Sequence, residues 1–245
     1  MRNIKLTIAY DGTAYHGWQI QRNARTIQGV LQQKIGIITG ETISLIGSGR
    51  TDAGVHALGQ VANFRTESRV PRDALKRGLN SLTPDDIAVQ RVEEVGDDFH
   101  ARYSARSKLY EYRILNTPVP SPIQRNFSWH VSQRLNLGKM EEAGGSLLGT
   151  HDFSSFRSAK TDNLNPVRTL MTLEIGKRKD HMLTIRTRAN GFLKHMVRNI
   201  VGTLVDVGRG RLTPDEFEAI RDARDRTRAG MAAPSHGLFL VEVEY

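Results

Sequence analysis

The stretch Gly47-Ser48-Gly49-Arg50-Thr51-Asp52-Ala53-Gly54-Val55-His56-Ala57 is the part of this 245-residue chain best suited to chemistry. Its three glycines permit sharp turns and let a ligand approach the backbone closely. Gly49 and Gly54 have the separation of a phosphate-binding loop, but Val55-His56 stands where such a loop needs Lys followed by Ser or Thr. A dinucleotide fingerprint fails too, because Asp52 occupies the position of its third glycine. What remains is an aspartate in a tight loop beside an arginine and a threonine, and two readings of it stay open. Asp52 could bond its own backbone, as aspartates in turns do. Its carboxylate, ionised at neutral pH from an ordinary pKa near ~3.9, could instead be a nucleophile that needs no partner base. A neighbouring guanidinium would keep it anionic and oriented. Such a group suits reactions at a glycosidic or base carbon.

Other chemistries find less support. Cysteine is absent, which excludes disulfides and thiolate metal sites. The eight histidines (16, 56, 100, 130, 151, 181, 195 and 236) include no pair at the helical spacing of metal ligands. His151-Asp152 near Ser154 has no nucleophile-elbow pattern around it.

The elements that must position these residues follow from periodicity. Ile4, Leu6, Ile8 and Tyr10 alternate with polar or small residues and predict a half-buried strand. Thr26 reads as the cap of a helix with Ile27, Val30, Leu31, Ile35 and Ile38 on its apolar face. A short strand over Ile43–Ile46 should run into the glycine loop, followed by a strand over Gln60–Thr66. Pro71 should start a helix ending near Leu82, with a strand over Ile87–Val95 after it. The order β-α-β-β-α-β is the split pattern of ferredoxin-like and RNA-recognition-like domains.

The second half opens on a period-two stretch in which Tyr110, Tyr112 and Ile114 share a face. A helix is expected over Leu135–Leu148 and strands near Thr169–Lys177 and His181–Ala189, the last presenting Arg186 and Arg188 opposite Leu183 and Ile185. Met196, Val197, Ile200, Val201 and Leu204 trace a helical stripe, with Arg198 at its edge. A charge there needs a carboxylate partner or an exit to solvent. Thr213-Pro214-Asp215-Glu216 has the signature of a capped helix start. Gly237–Tyr245 should close the chain as a strand. The expected class is α+β, with two mixed domains bearing antiparallel sheets, 1–104 and 105–245.

Composition bounds the setting. At 38% hydrophobic and 25% charged residues the chain reads as a globular protein, with no apolar run long enough to span a membrane. The first ten residues lack a signal peptide's apolar stretch, and the expected location is the cytoplasm. The formal charge is +9 and uneven: residues 1–104 carry 13 basic and 11 acidic side chains, residues 105–245 carry 22 and 15. An excess of this size favours phosphate polyanions as partners.

The segment Gly47–Ala57 resembles the active-site motif of the TruA-type tRNA pseudouridine synthases, and the resemblance extends over nearly the whole chain. It includes Tyr10-Asp11-Gly12-Thr13-x-Tyr15-x-Gly17-Trp18-Gln19, Gly59-Gln60-Val61, Phe99–Ala105 and Lys108-x-Tyr110-x-Tyr112. It continues through Asp152–Phe156, Val167-Arg168-Thr169, Phe192-Leu193-x-His195–Gly202 and Gly237-Leu238. Two departures stand out: Thr83 where leucine is expected before Pro84, and Met231-Ala232 in place of Pro-Thr.

The resemblance implies the pseudouridine synthase fold and a cofactor-free, metal-free isomerisation of uridine at positions 38, 39 and 40 of the tRNA anticodon stem-loop. It implies a homodimer with tRNA as partner and Asp52 as nucleophile. Arg198 would pair with that carboxylate, Tyr110 would stack on the target uracil, and Arg50 would fill the gap left by the extruded nucleotide. On the residues alone, Tyr110 is equally an ordinary core side chain, Arg198 a surface arginine and Arg50 an exposed phosphate contact. Attack at ribose C1′, attack at uracil C6 and a step after glycal formation are all compatible with these residues.

Overall fold

The computed structural model describes residues 1–158 and 165–245, and the chain divides into two compact units, 1–106 with 239–245, and 107–238. The class is α+β.

In the first unit β1 (Arg2–Tyr10) lies between β3 (His56–Thr66) and β4 (Ile87–Val95), antiparallel to both. The two-residue β2 (Ile46–Gly47) pairs antiparallel with β3, which gives the order β4-β1-β3-β2. Alternation along β1 sends Ile4, Leu6 and Ile8 into the core. There they share the interior with the apolar faces of α1 (Ile27–Thr39) and α2 (Arg72–Leu82), namely Ile27, Leu31, Ile35, Leu75 and Leu79. Thr26 caps α1 by accepting from the Gly29 N–H, and Gly40 ends it in the left-handed region at φ 74°. The expected strand over Ile43–Ile46 contracts to Ile46–Gly47. The Leu45 backbone bonds instead to α1 side chains: its carbonyl accepts from Gln28 and its N–H donates to Gln32. Thr83, at the position where leucine was expected, is buried with its hydroxyl within reach of the Leu79 and Ile87 carbonyls.

The strand expected from Gln60 starts four residues earlier, at His56. Its first residues gain a remote partner, β10 (Leu238–Glu244), which pairs parallel to it at Phe239↔His56 and Leu240↔Ala57. The C-terminal segment, grouped by sequence with residues 105–245, therefore completes the sheet of the first unit from Phe239 onward.

In the second unit β5 (Ser107–Leu115), β9 (Met182–Ala189), β8 (Val167–Lys177) and β7 (Gly149–Asp152) form an antiparallel sheet in that order, and β6 (Trp129–His130) pairs parallel to β5. Tyr110, Tyr112 and Ile114 on β5 face the same side as Thr187, Ile185 and Leu183 on β9. α4 (Met196–Gly208) is buried almost all round. α3 (Leu137–Gly145) packs on α4, on β8 and on α5 (Pro214–Ala223). α5 starts at the expected capping box of Thr213 and Glu216 with Pro214 in its first turn. The helix expected over Leu135–Leu148 is shorter at both ends.

Candidate functional site

The Asp52 loop is built from the residues on either side of it. At its start, Ser48 donates its N–H to the Val61 carbonyl at 2.7 Å and its hydroxyl to Gln60 Oε1 at 2.7 Å. Gln60 Nε2 returns a bond to the Gly49 carbonyl at 3.1 Å. In the middle, Thr51 is fixed twice: its carbonyl accepts from the Trp18 N–H at 3.1 Å, and its hydroxyl lies 2.8 Å from the Tyr10 hydroxyl. Burial pushes the Tyr10 phenol well above its usual pKa, against the hydrogen bonds from Thr51 and Gln60, so it stays protonated. Past Asp52, the Val55 N–H closes a turn on the Asp52 carbonyl at 3.1 Å, and the Gly54 N–H reaches the Tyr15 carbonyl at 3.3 Å. His56, with its ring stacked on Phe239, accepts the Gly12 N–H at 3.1 Å.

The segment from Tyr10 to Trp18, remote in sequence, is thus the clamp of this loop. Two glycines make the closest approaches: a Cβ on Gly12 would meet the Val55 carbonyl oxygen at 2.0 Å, and one on Gly17, in the left-handed region at φ 86°, the Thr51 carbonyl oxygen at 2.4 Å. Asp52 emerges half-buried from a backbone held at the residues before and after it, while Arg50 is exposed. The chain is thus held on both sides of a carboxylate that keeps partial exposure.

Tyr110 and Arg198 belong to the second unit. Tyr110 is buried on β5 opposite Thr187, with its ring nearly perpendicular to that of Phe192 and the ring centres 5.0 Å apart. Arg198 lies in the first turn of α4, just after His195, which adopts φ 63°. Its Nε donates to the Ala233 carbonyl at 2.7 Å, and the Ala233 N–H donates to the Arg198 carbonyl at 2.9 Å. Nearby, burial raises the Tyr112 pKa well beyond its usual range, opposed by the positive charge of Arg198. His236 is shifted below its ordinary value, first by burial and also by Arg198, against a hydrogen bond with the Ser128 backbone.

The structure therefore carries Arg50 and Asp52 on one loop of the first unit, and Tyr110 on β5 and Arg198 on α4 of the second. Arg186 and Arg188, read from sequence as a basic strand face, share that side of the sheet with a buried carboxylate. Glu111 accepts from Arg113 at 2.8 Å and from Arg178 at 2.7 Å, with Arg186 Nε 3.7 Å away. Arg188 donates to the Ser107 hydroxyl at 2.9 Å. Sequence reasoning missed the Tyr10–Thr51 contact, the Gln60 bridge and the bond from Tyr112 to the Pro234 carbonyl. The last spans 122 residues and leaves no local signal. Among the described residues no three His, Asp or Glu side chains gather as a metal ion requires, and no helix is long and apolar enough to cross a membrane.

The profile of a family described as tRNA pseudouridine synthase matches residues 6–104 and 143–245. The chain belongs to the tRNA pseudouridine synthase family. It is an isomerase of the pseudouridine synthase type. Asp52, Arg50 and Arg198 fall inside the matched stretches, and Tyr110 falls between them. Relatives named tRNA pseudouridine synthase A align over the full length. Those of Thermoanaerobacter sp. (strain X514) and Acetivibrio thermocellus are each 49% identical over 245 residues, covering 100% of both chains. That of Bacillus pumilus is 45% identical over 244 residues, covering 99% of this chain and 98% of its own.

Proposed function

We propose that this synthase converts uridine to pseudouridine at positions 38, 39 and 40 of the tRNA anticodon stem-loop, working as a cytoplasmic homodimer with Asp52 as its nucleophile. The observation that carries the reading is the Asp52 loop: a half-buried carboxylate whose flanking residues are held by Trp18, Tyr15 and Gln60 through the backbone and by Tyr10 through the Thr51 hydroxyl. The names of the relatives support tRNA as the substrate, and the formal charge of +9 supports a phosphate polyanion.

In this reaction the bond between uracil N1 and ribose C1′ breaks, the base turns, and C5 bonds to C1′. The C5 proton leaves and N1 gains one, so the product is an isomer and no electrons are gained or lost. The reaction therefore requires no redox cofactor. Asp52 provides the attacking carboxylate, and the Arg198 guanidinium pairs with it. Tyr110 stacks on the target uracil. A base within a stem is reached only by extrusion, which costs a few kcal/mol and is offset by stacking and phosphate contacts. Arg50, exposed beside the nucleophile, fills the space the base vacates.

The test is Asp52→Asn. Tritium release from tRNA labelled at uridine C5 should vanish, while tRNA affinity stays within about tenfold, or about 1.4 kcal/mol. A site-resolved pseudouridine map of tRNA treated with the wild-type protein should show positions 38–40. Wild-type protein that binds tRNA but releases no tritium at any salt concentration would point to a non-catalytic RNA-binding protein.

A further inference from the structure

Arg198 is held by the chain segment after α5 rather than by its own helix. Its Nε donates to the Ala233 carbonyl, and the Ala233 N–H bonds back to the Arg198 carbonyl, so the two residues are tied in both directions. The same segment presses on α4 one turn later, where a Cβ on Gly202 would meet the Met231 carbonyl oxygen at 1.7 Å. The next carbonyl along, that of Pro234, accepts the Tyr112 hydroxyl at 2.7 Å. Tyr112 is itself wholly buried on β5, with its ring perpendicular to that of Trp129.

A guanidinium is planar, so fixing Nε on a carbonyl sets the plane in which its two terminal nitrogens lie. That plane decides where a carboxylate can be met by two parallel hydrogen bonds. We infer that Tyr112 is a positioning residue for Arg198, its hydroxyl holding the Ala233–Pro234 backbone on which the guanidinium is aimed. The inference rests on the proposed pairing of Arg198 with the nucleophilic carboxylate. Burial keeps the Tyr112 phenol protonated, so the donor is present throughout the working pH range. Without it the Pro234 carbonyl loses a buried partner, and the peptide that orients Arg198 gains freedom.

Tyr112→Phe keeps the ring and removes only the hydroxyl. In single-turnover assays with saturating tRNA, pseudouridine formation should slow at least about tenfold, while tRNA affinity changes less than about threefold. Ile114→Val, also buried and two residues along the same strand, loses packing without touching this chain of contacts and should retain its rate. In an Arg198→Lys background, slowed but assayed with excess enzyme over long incubations, adding Tyr112→Phe should change the rate less than about twofold. Lysine has no Nε fork to aim. Ala233→Gly, which loosens the same peptide with every donor in place, should show the same fall in rate without a fall in affinity, including where Tyr112→Phe proves too unstable to assay.

The inference is overturned if either Tyr112→Phe or Ala233→Gly keeps the wild-type rate within about twofold. It is also overturned if Tyr112→Phe slows the Arg198→Lys enzyme as much as it slows the wild type, or if Ile114→Val slows the reaction equally. Arg198→Lys at full wild-type rate would instead remove the role given to Arg198, a separate failure belonging to the functional reading beneath it.

Discussion

Gly17→Ala is the sharpest probe of the loop clamp, because residue 17 lies outside the loop and has no chemistry of its own. Two costs follow from the structure. At φ 86° an alanine is strained by the left-handed region, at roughly 1–2 kcal/mol. Its Cβ would also stand 2.4 Å from the Thr51 carbonyl oxygen and 3.1 Å from the Asp52 carbonyl carbon. Both neighbours are backbone, so no side-chain rotation relieves the contact. Restoring an ordinary separation of about 3.4 Å demands a relative shift of roughly 1 Å between the Gly17 turn and the Thr51–Ala53 backbone. The Trp18 N–H to Thr51 carbonyl bond would be lost or lengthened in the process. A displacement of roughly 1 Å at a reacting group can cost about 100-fold in rate. The expected variant is folded, with thermal unfolding lowered by about 4–10 °C for a loss of about 2–3 kcal/mol. Its tritium release should be about 30–100-fold slower, and its tRNA affinity close to wild type. Rate within about threefold of wild type, together with an unchanged unfolding temperature, would refute the argument that the 10–18 segment sets the position of Asp52.

Glu111→Gln should lower stability by about 1–3 kcal/mol, read as a fall in the urea midpoint, because three guanidiniums lose the one buried carboxylate they share. The partial exposure of those arginines keeps the loss below that of a fully buried pair. The deficit should shrink in high salt as repulsion among the arginines is screened, and an unchanged midpoint at low salt would refute it. His236 has a folded-state pKa below its unfolded value near ~6.5, so the unfolded chain binds the proton more readily. Its contribution is therefore present above about pH 6.5 and is lost as the pH falls from there toward the folded pKa. His236→Gln should flatten that part of the stability profile. Equal slopes for both proteins between about pH 7.5 and 5.5 would refute the assignment.

Much of the fold was legible because it rests on short-range pattern. Alternation gave β1 and β5, the Thr26 and Thr213 caps gave the starts of α1 and α5, and Pro71 gave that of α2. Errors arose where remote residues satisfied the backbone. Gln28 and Gln32 of α1 take up the Leu45 backbone groups and leave only two residues of β2, while β10 extends β3 back to His56. β6 and β7 are too short for a periodic signal and exist through pairing with β5 and β8.

The residue types around position 52 sufficed to exclude the two nucleotide-loop readings and to isolate an aspartate beside an arginine. They left open whether that aspartate bonds its own turn or faces a substrate, and the ordered blocks along the chain pointed to the family. What holds the Asp52 backbone in place is tertiary. Thr51 is gripped by Tyr10 and Trp18, Gly49 by Gln60, and the Arg198 guanidinium by a carbonyl 35 residues away. Sequence determines which donors and acceptors exist, since these are properties of residue types. Their pairing depends on strand register and helix packing, which bring together groups whose separation along the chain carries no trace of the contact.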